Sequence, residues 1–311
     1  MRVLDKLFQK KTEVNDHVTE EEYFARHIDS YYKLMARRFF SNKLALVGVI
    51  ILIILILSAV FADVIAPYAF DETHMEALIT GKPLPPSKEF IWGTDALGRD
   101  FFTRCLYGGR VSLFVGFAAT LLSMLIGVPL GCIAGYYGGW VDNVICRFLE
   151  LFNAIPVFFV MLILATVIKA SIWNMVWIIA IFGWPGFVRS VRAYFLQTKT
   201  KDFVLAAQNL ALRDRTIIFH HVLPYAMMPV LLTAASSVVS CMGMETTLSF
   251  LGLGIREPNT SWGYLMSVAQ QYLRRVPTLA IIPGLILTTC TLSMNFIADG
   301  LRDAIDPRSG S

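Results

Sequence analysis

Six long apolar runs limit what this chain can become. They cover about residues 44 to 62, 111 to 136, 148 to 168, 171 to 188, 222 to 244 and 279 to 298. Each is close to the ~20 residues that a helix needs to cross a hydrocarbon layer of roughly 30 Å. Lipid offers no partner for backbone N–H and C=O groups, so each run must satisfy its own as a helix. The expected fold class is all-α: an integral membrane protein with six transmembrane helices. With 56% hydrophobic and only 16% charged residues in 311, the chain is far from a soluble domain, which is roughly a quarter charged.

The charges outside the runs suggest how the chain is threaded. If the N-terminus is cytoplasmic, six spans place 18 of the 27 Lys and Arg residues on that side, and the positive-inside tendency then expects both termini there. The first run starts only at Leu44 and no A-x-A-like site follows it, so it reads as a retained anchor and not a removable signal. Its sequence, LALVGVIILIILILSAVFA, holds no charge and suits a peripheral, lipid-facing helix. The organisation expected is residues 1–43 as a cytoplasmic segment, 44–110 as the first span plus an extracytoplasmic segment, 111–300 as the membrane core, and 301–311 as a cytoplasmic tail. Within the N-terminal segment, Tyr23 to Phe40 reads either as an amphipathic interfacial helix or as a solvated leader.

Between the fourth and fifth spans lies KTKDFVLAAQNLALRDRTIIFHHVLP, residues 199 to 224, too charged for lipid yet rich in apolar residues. Asp202 is placed to cap a short helix through Phe203, Leu205, Ala206, Ala207 and Leu210, and Asp214 or Thr216 to cap a second one leading to Leu223 and Pro224. Such a protrusion exposes apolar side chains to water unless a partner covers them, so it reads as a docking element.

The outer segment ends in FIWGTDALGRDFFTRCLYGGRVSL. The glycine spacing of Gly93 to Arg99 imitates a phosphate loop, but Arg99 and Asp100 stand where lysine and Ser/Thr would be needed. A tight turn at the membrane surface fits better, with Asp95, Arg99, Asp100 and Arg104 paired with one another or with a partner. In the second span Gly116, Ala119, Ser123, Gly127 and Gly131 recur at near-helical spacing, the pattern that lets helices approach closely in lipid. Asp142, Arg147 and Glu150 at the entry to the third span read equally as a surface pairing or as part of a cytoplasmic gate. Prolines 129, 156, 185, 224, 229 and 283 lie in or beside five of the spans and permit bending.

Several chemistries have no counterpart in the sequence. Apart from Glu150 at an edge, no ionisable residue falls within the six runs, which disfavours a self-powered pump or secondary carrier. There is no G-x-x-x-x-G-K-[ST], H-E-x-x-H or G-x-S-x-G, so neither an ATPase nor a hydrolase is indicated. His220 and His221 are neighbours and point about 100° apart on a helix, a poor shared metal site. The five cysteines show no C-x-x-C spacing and suit buried small hydrophobes. No basic stripe with stacking aromatics suggests nucleic acid.

Taken together, FIWGTDALGRDFFTRCLYGGRVSLFVG, GYYGGWVDNVICRFLELFNAIP, the 199 to 224 stretch, LSFLGLGIREPNTSWGYLM and NFIADGLRDAIDP resemble the permease subunits of ATP-binding-cassette importers for dipeptides and oligopeptides. The resemblance implies a type I importer permease fold working by alternating access in the cytoplasmic membrane. Its implied partners are a second permease chain, two cytoplasmic ATPase subunits that bind the ATP, and an extracytoplasmic substrate-binding protein that delivers peptide; this chain itself would hold no cofactor and perform no catalysis. On that resemblance Asp202, Leu205, Ala206, Ala207, Ala211, Leu223 and Pro224 couple to the ATPase, and Gly93, Thr94, Asp95, Gly98, Arg99 and Asp100 meet the extracytoplasmic partner. Two coupling positions depart from the family pattern: Leu205 stands for a glutamate and Ala211 for a glycine. Alanine is strained at a left-handed helix end, so the bend is expected to be shallower or to move to Asn209. Relatives that carry nickel or other small solutes, an autonomous channel and an intramembrane enzyme stand as the competing readings.

Overall fold

A computed structural model of the chain describes residues 32–75, 79 and 81–305. The stretch from Tyr23 to Tyr31 and the end of the tail therefore lie outside the described residues, whereas 32–41 is helical. Among the described residues every regular element is a helix, apart from one isolated bridge between Thr94 and Asp100.

Helix α1, Lys43–Val60, starts where Asn42 Oδ1 accepts from the N–H groups of Leu44 and Ala45. Only 17% of its apolar window is buried, against 50% for the span beginning at Ile172. That contrast makes α1 the peripheral helix its composition suggests, with Gly48 pressed on Ser293 and Phe296 of the last helix.

Helix α2, Phe101–Tyr137, is longer than its apolar run by the ten residues before it. Asp100 starts it, accepting from the Thr103 N–H and hydroxyl. The expected small-residue stripe is buried. A β-carbon on Gly127 would sit 2.5 Å from the Trp184 carbonyl oxygen, and one on Gly131 would sit 2.7 Å from Val191 Cβ. Glycine at these positions is what lets α2 lie directly on α5, Ile172–Thr198, and Ser123 adds a hydrogen bond to the Ala180 carbonyl across the same seam.

The third apolar run is not one straight span. Helices α3, Gly139–Ala154, and α4, Val157–Val167, meet at Ile155 and Pro156 with a bend of 71°. Pro156 has no N–H to continue the ladder and disfavours helical geometry at the residue before it, so the chain turns there. The described helices thus include five that are long and apolar enough to cross a membrane, or six if the bent pair is counted as one.

After α5 comes the short α6, Asp202–Asn209, and then α7, Leu223–Phe250. A helix on the opposite side, α8 (Trp262–Ala269), leads to α9 (Thr278–Ile305). The bundle therefore has a hairpin end, carrying residues 199–224, and a loop end, carrying 81–100 and 251–277.

Candidate functional site

The hairpin is held by a packed inner face. Val204 and Ala207 of α6 are buried with Ile217, Ile218 and Val222, and this cluster continues onto Phe187, Val191 and Phe195 of α5. The opposite face is uncovered: Leu205 is 44% exposed, Leu210 54% and Phe219 53%. Lys201, Asp202, Arg213, Asp214 and Arg215 surround them and are also exposed. Apolar side chains ringed by mobile charges suit a protein partner and not acyl chains.

Four details differ from the sequence expectations. Lys201, not Asp202, is the N-cap residue, and Asp202 is the first helical residue with no side-chain cap. It still places a negative charge at the positive end of the helix dipole. Arg213 takes the second N-cap, so neither Asp214 nor Thr216 caps; Asp214 accepts instead from the Tyr136 hydroxyl at 2.9 Å. The second short helix is not separate either: Asp214–Thr216 runs through a π-helical segment, Ile217–Val222, straight into α7. In that segment the Leu223 N–H reaches back five residues to the Ile218 carbonyl. Pro224 follows, and because it has no N–H, a shift of register here sacrifices no bond that it could have donated.

The fourth difference concerns Ala211. Its φ is +52°, so the bend has neither become shallower nor moved to Asn209. Leu212 N–H bonds the Ala207 carbonyl at 3.2 Å and Ala211 N–H bonds Gln208 at 2.9 Å, a Schellman-type ending with alanine where glycine is usual. An L-residue in this region is strained by roughly 1–2 kcal/mol. The hairpin keeps a glycine-shaped turn without glycine because the next segment must fold back over Val204 and Ala207. Leu223 and Pro224 sit half-buried at the hairpin base, where the Pro224 carbonyl accepts from the Tyr32 hydroxyl at 2.5 Å.

At the loop end polar groups turn inward. Gly93 and Gly98 take φ of +80° and +75°, and bring the turn round so that Asp95 accepts from the Leu97 and Arg99 N–H groups. Asp95 also holds Arg99 at 2.7 Å. Thr94, Asp95 and Asp100 are buried, and Arg99 is largely so. Thus the side chains expected to meet an outside partner are engaged within the chain, and Ile91 and Leu97 are what this turn exposes.

Two acids that sequence reading passed over hold this end together. Glu257 receives Arg99 at 2.8 Å and the fully buried Arg104 at 2.6 Å, while the Arg104 guanidinium also lies 4.6 Å from the Phe70 ring centre. Burial pushes the Glu257 carboxyl up, but the Arg99 and Arg104 guanidinium groups outweigh it and hold it below the usual carboxylate range. Glu245, one residue past the apolar run that ends at 244, belongs to α7 and is fully buried. It accepts from Ser112 at 3.1 Å and Ser249 at 2.8 Å, and Ser112 in turn accepts from the Trp262 N–H. Ser112, Glu245 and Trp262 thereby join α2, α7 and α8. At the entry to the bent span, Arg147 pairs with Glu150 at 2.7 Å, whereas Asp142 pairs with Arg192 of α5. No local pattern announces any of the long-range pairs.

A helical bundle of membrane-crossing length with one uncovered amphipathic hairpin is the build of a transporter's membrane component. Residues 127–311 match the family described as binding-protein-dependent transport system inner membrane component, and residues 30–86 match the N-terminal transmembrane domain of oligopeptide transport permease C. The chain belongs to the family of binding-protein-dependent transport system inner membrane components. It is 36% identical over 299 residues to the dipeptide transport system permease protein DppC of Alkalihalophilus pseudofirmus, covering 96% of each chain. It is 37% identical to the oligopeptide transport system permease protein OppC of Bacillus subtilis, covering 90% of each. The fold is that of a type I importer permease: the MetNI methionine ABC transporter in an inward-facing conformation superposes with a TM-score of 0.54 over 71% of this chain and all of that one, at 15% identity.

Proposed function

We propose that this chain is one permease subunit of an ATP-driven importer that moves dipeptides or oligopeptides across the cytoplasmic membrane by alternating access. The observation that carries the reading is the hairpin. Leu205, Leu210 and Phe219 stand uncovered at an end of the bundle whose charges exclude lipid, and a cytoplasmic ATPase subunit is the partner that would cover them. The relatives named as dipeptide and oligopeptide permeases support peptide as cargo. In this reading Asp202, Leu205, Ala206 and Ala211 offer the exposed contact, Ala207 anchors it, and Leu223 with Pro224 passes its movement to α7.

The placement of Lys and Arg favours both termini and the hairpin on the cytoplasmic side. A second permease subunit and two ATPase subunits complete the assembly, and a substrate-binding protein approaches the loop end. There Gly93, Thr94, Asp95, Gly98, Arg99 and Asp100 shape the receiving turn while Ile91 and Leu97 touch the visitor. ATP and the loaded binding protein each bias one equilibrium between inward-facing and outward-facing states.

The test is uptake of a labelled dipeptide into proteoliposomes holding all the subunits, with and without ATP. Uptake that needs ATP, the ATPase subunits and the binding protein is expected. Equal uptake by this chain alone would overturn the assignment.

A further inference from the structure

The bend between α3 and α4 opens a groove against α5 and α7, and one cation without an ion-pair partner stands in it. Arg189 of α5 lines both a cavity of about 320 Å³, shared with Thr233, Ser236 and Ser240 of α7, and an adjoining one of about 520 Å³ beside Asn153. Both lie within the size range of small-ligand sites, roughly 300–1,000 Å³. The nearby carboxylates are engaged by other arginines, Asp142 by Arg192 and Glu150, which lines the second cavity, by Arg147. Among the described residues Arg189 has no ion-pair partner, and it is exposed. Arg189 follows directly on the fourth apolar run, at the end that the charge distribution places in the cytoplasm, so this end of the groove opens to water and to a passing solute.

The rest of the wall has a definite polarity. Thr233, Ser236 and Ser240 recur at helical spacing, and their hydroxyls donate to the carbonyls four residues back, those of Pro229, Leu232 and Ser236. The Asn153 amide likewise donates to the Leu149 carbonyl at 2.6 Å. With their protons engaged, the three hydroxyls present lone pairs to the groove, and Asn153 adds its carbonyl oxygen beside one remaining N–H. Arg192 and Glu150 also line the second cavity, each already in an ion pair, so the wall offers several acceptors and one unpaired cation. A ligand complementary to it carries N–H donors along its length and a carboxylate at one end, which is the chemistry shared by every free peptide whatever its side chains.

We infer that this groove is the chain's share of the translocation path and that Arg189 receives the C-terminal carboxylate of the passing peptide. The inference rests on the peptide reading above and adds the residue and the substrate atom. Recognition of the backbone and its terminus, and not of side chains, lets one path serve many peptides.

The assembled importer carrying Ser236→Cys, solubilised without its binding protein, is labelled with a maleimide in the presence of dialanine or of dialanine amide. Free dipeptide is expected to protect the thiol at concentrations at least about tenfold lower than the amide, the factor a charge-assisted pair supplies. Arg189→Gln should abolish that difference and Arg189→Lys should keep most of it. Equal protection by the two compounds, no protection by either, or a difference that survives Arg189→Gln would overturn the inference. So would loss of the second permease subunit on purifying Arg189→Gln, because Arg189 would then be an inter-subunit ion pair. Failure of the underlying reading is distinct: the wild-type importer would show no ATP-dependent uptake of dialanine in proteoliposomes.

Discussion

The two ends of the bundle solve opposite problems. At the loop end, Asp95, Arg99, Arg104 and Glu257 neutralise one another, Asp100 caps α2, and Glu245 is closed in by Ser112 and Ser249. At the hairpin end, Leu205, Leu210 and Phe219 are left uncovered and Ala211 is held at positive φ. One end is complete within the chain; the other is left open for the partner proposed above. A surface that must be gripped and released through a transport cycle keeps its contacts unmade in the lone subunit, whereas a surface that has to seal the bundle cannot.

The comparison breaks most visibly at Glu257. Replacing it by alanine leaves the buried Arg104 without its carboxylate, and a loss of roughly 3 kcal/mol is expected, at the low end for a broken buried pair because Glu257 is partly exposed. Thermal unfolding of the purified subunit in detergent measures it; an unchanged midpoint would mean the loop end is not held by this cluster. The same pair gives the loop end a pH dependence. A carboxyl held below its ordinary value contributes stability above about pH 4.3 and loses it as pH falls through the lowered value. Acid should therefore loosen the wild-type loop end in that window, with the Glu257→Ala protein lacking this step.

Next in size is Leu205→Asp at the other end. Putting a charge into a mostly apolar contact should weaken ATPase association by about tenfold or more, some 1.4 kcal/mol, while leaving the unfolding midpoint nearly unchanged. Copurification of the ATPase at the wild-type level would show that Leu205 lies outside the contact. Smaller still, Ala211→Gly relieves the left-handed alanine and should stabilise the hairpin by about 1 kcal/mol, read as slower amide hydrogen exchange over 202–212. The smallest effect is expected for Glu150→Gln. Its pair with Arg147 is well exposed on both sides, and such pairs contribute about 0–1 kcal/mol.

What the sequence made legible follows from the range of the forces involved. Apolar runs, the Gly116 to Gly131 stripe and the charged hairpin are periodic or local, so the helices, the close-packing face of α2 and the candidate docking element could be placed directly, whereas α5 as the partner of that face could not. The competing signal at residue 156 was present too, but a continuous apolar run from 148 to 168 hid a bend that Pro156 imposes. Glu245 and Glu257 were passed over for another reason. Their partners Ser112 and Arg104 lie 133 and 153 residues away, and no local spacing couples such positions. Ala211 shows the limit of propensity: alanine disfavours positive φ, yet burial of Val204 and Ala207 beneath Ile217 and Ile218 decides the turn.

The central claim, that the hairpin is where the motor grips, is tested most directly by a cysteine at Leu205 in the fully assembled importer. The account predicts that a short thiol crosslinker joins it to an ATPase subunit and that assembly shields it from maleimide. A cysteine that stays reactive in the complete complex, or that reacts only from the extracytoplasmic side, would contradict it.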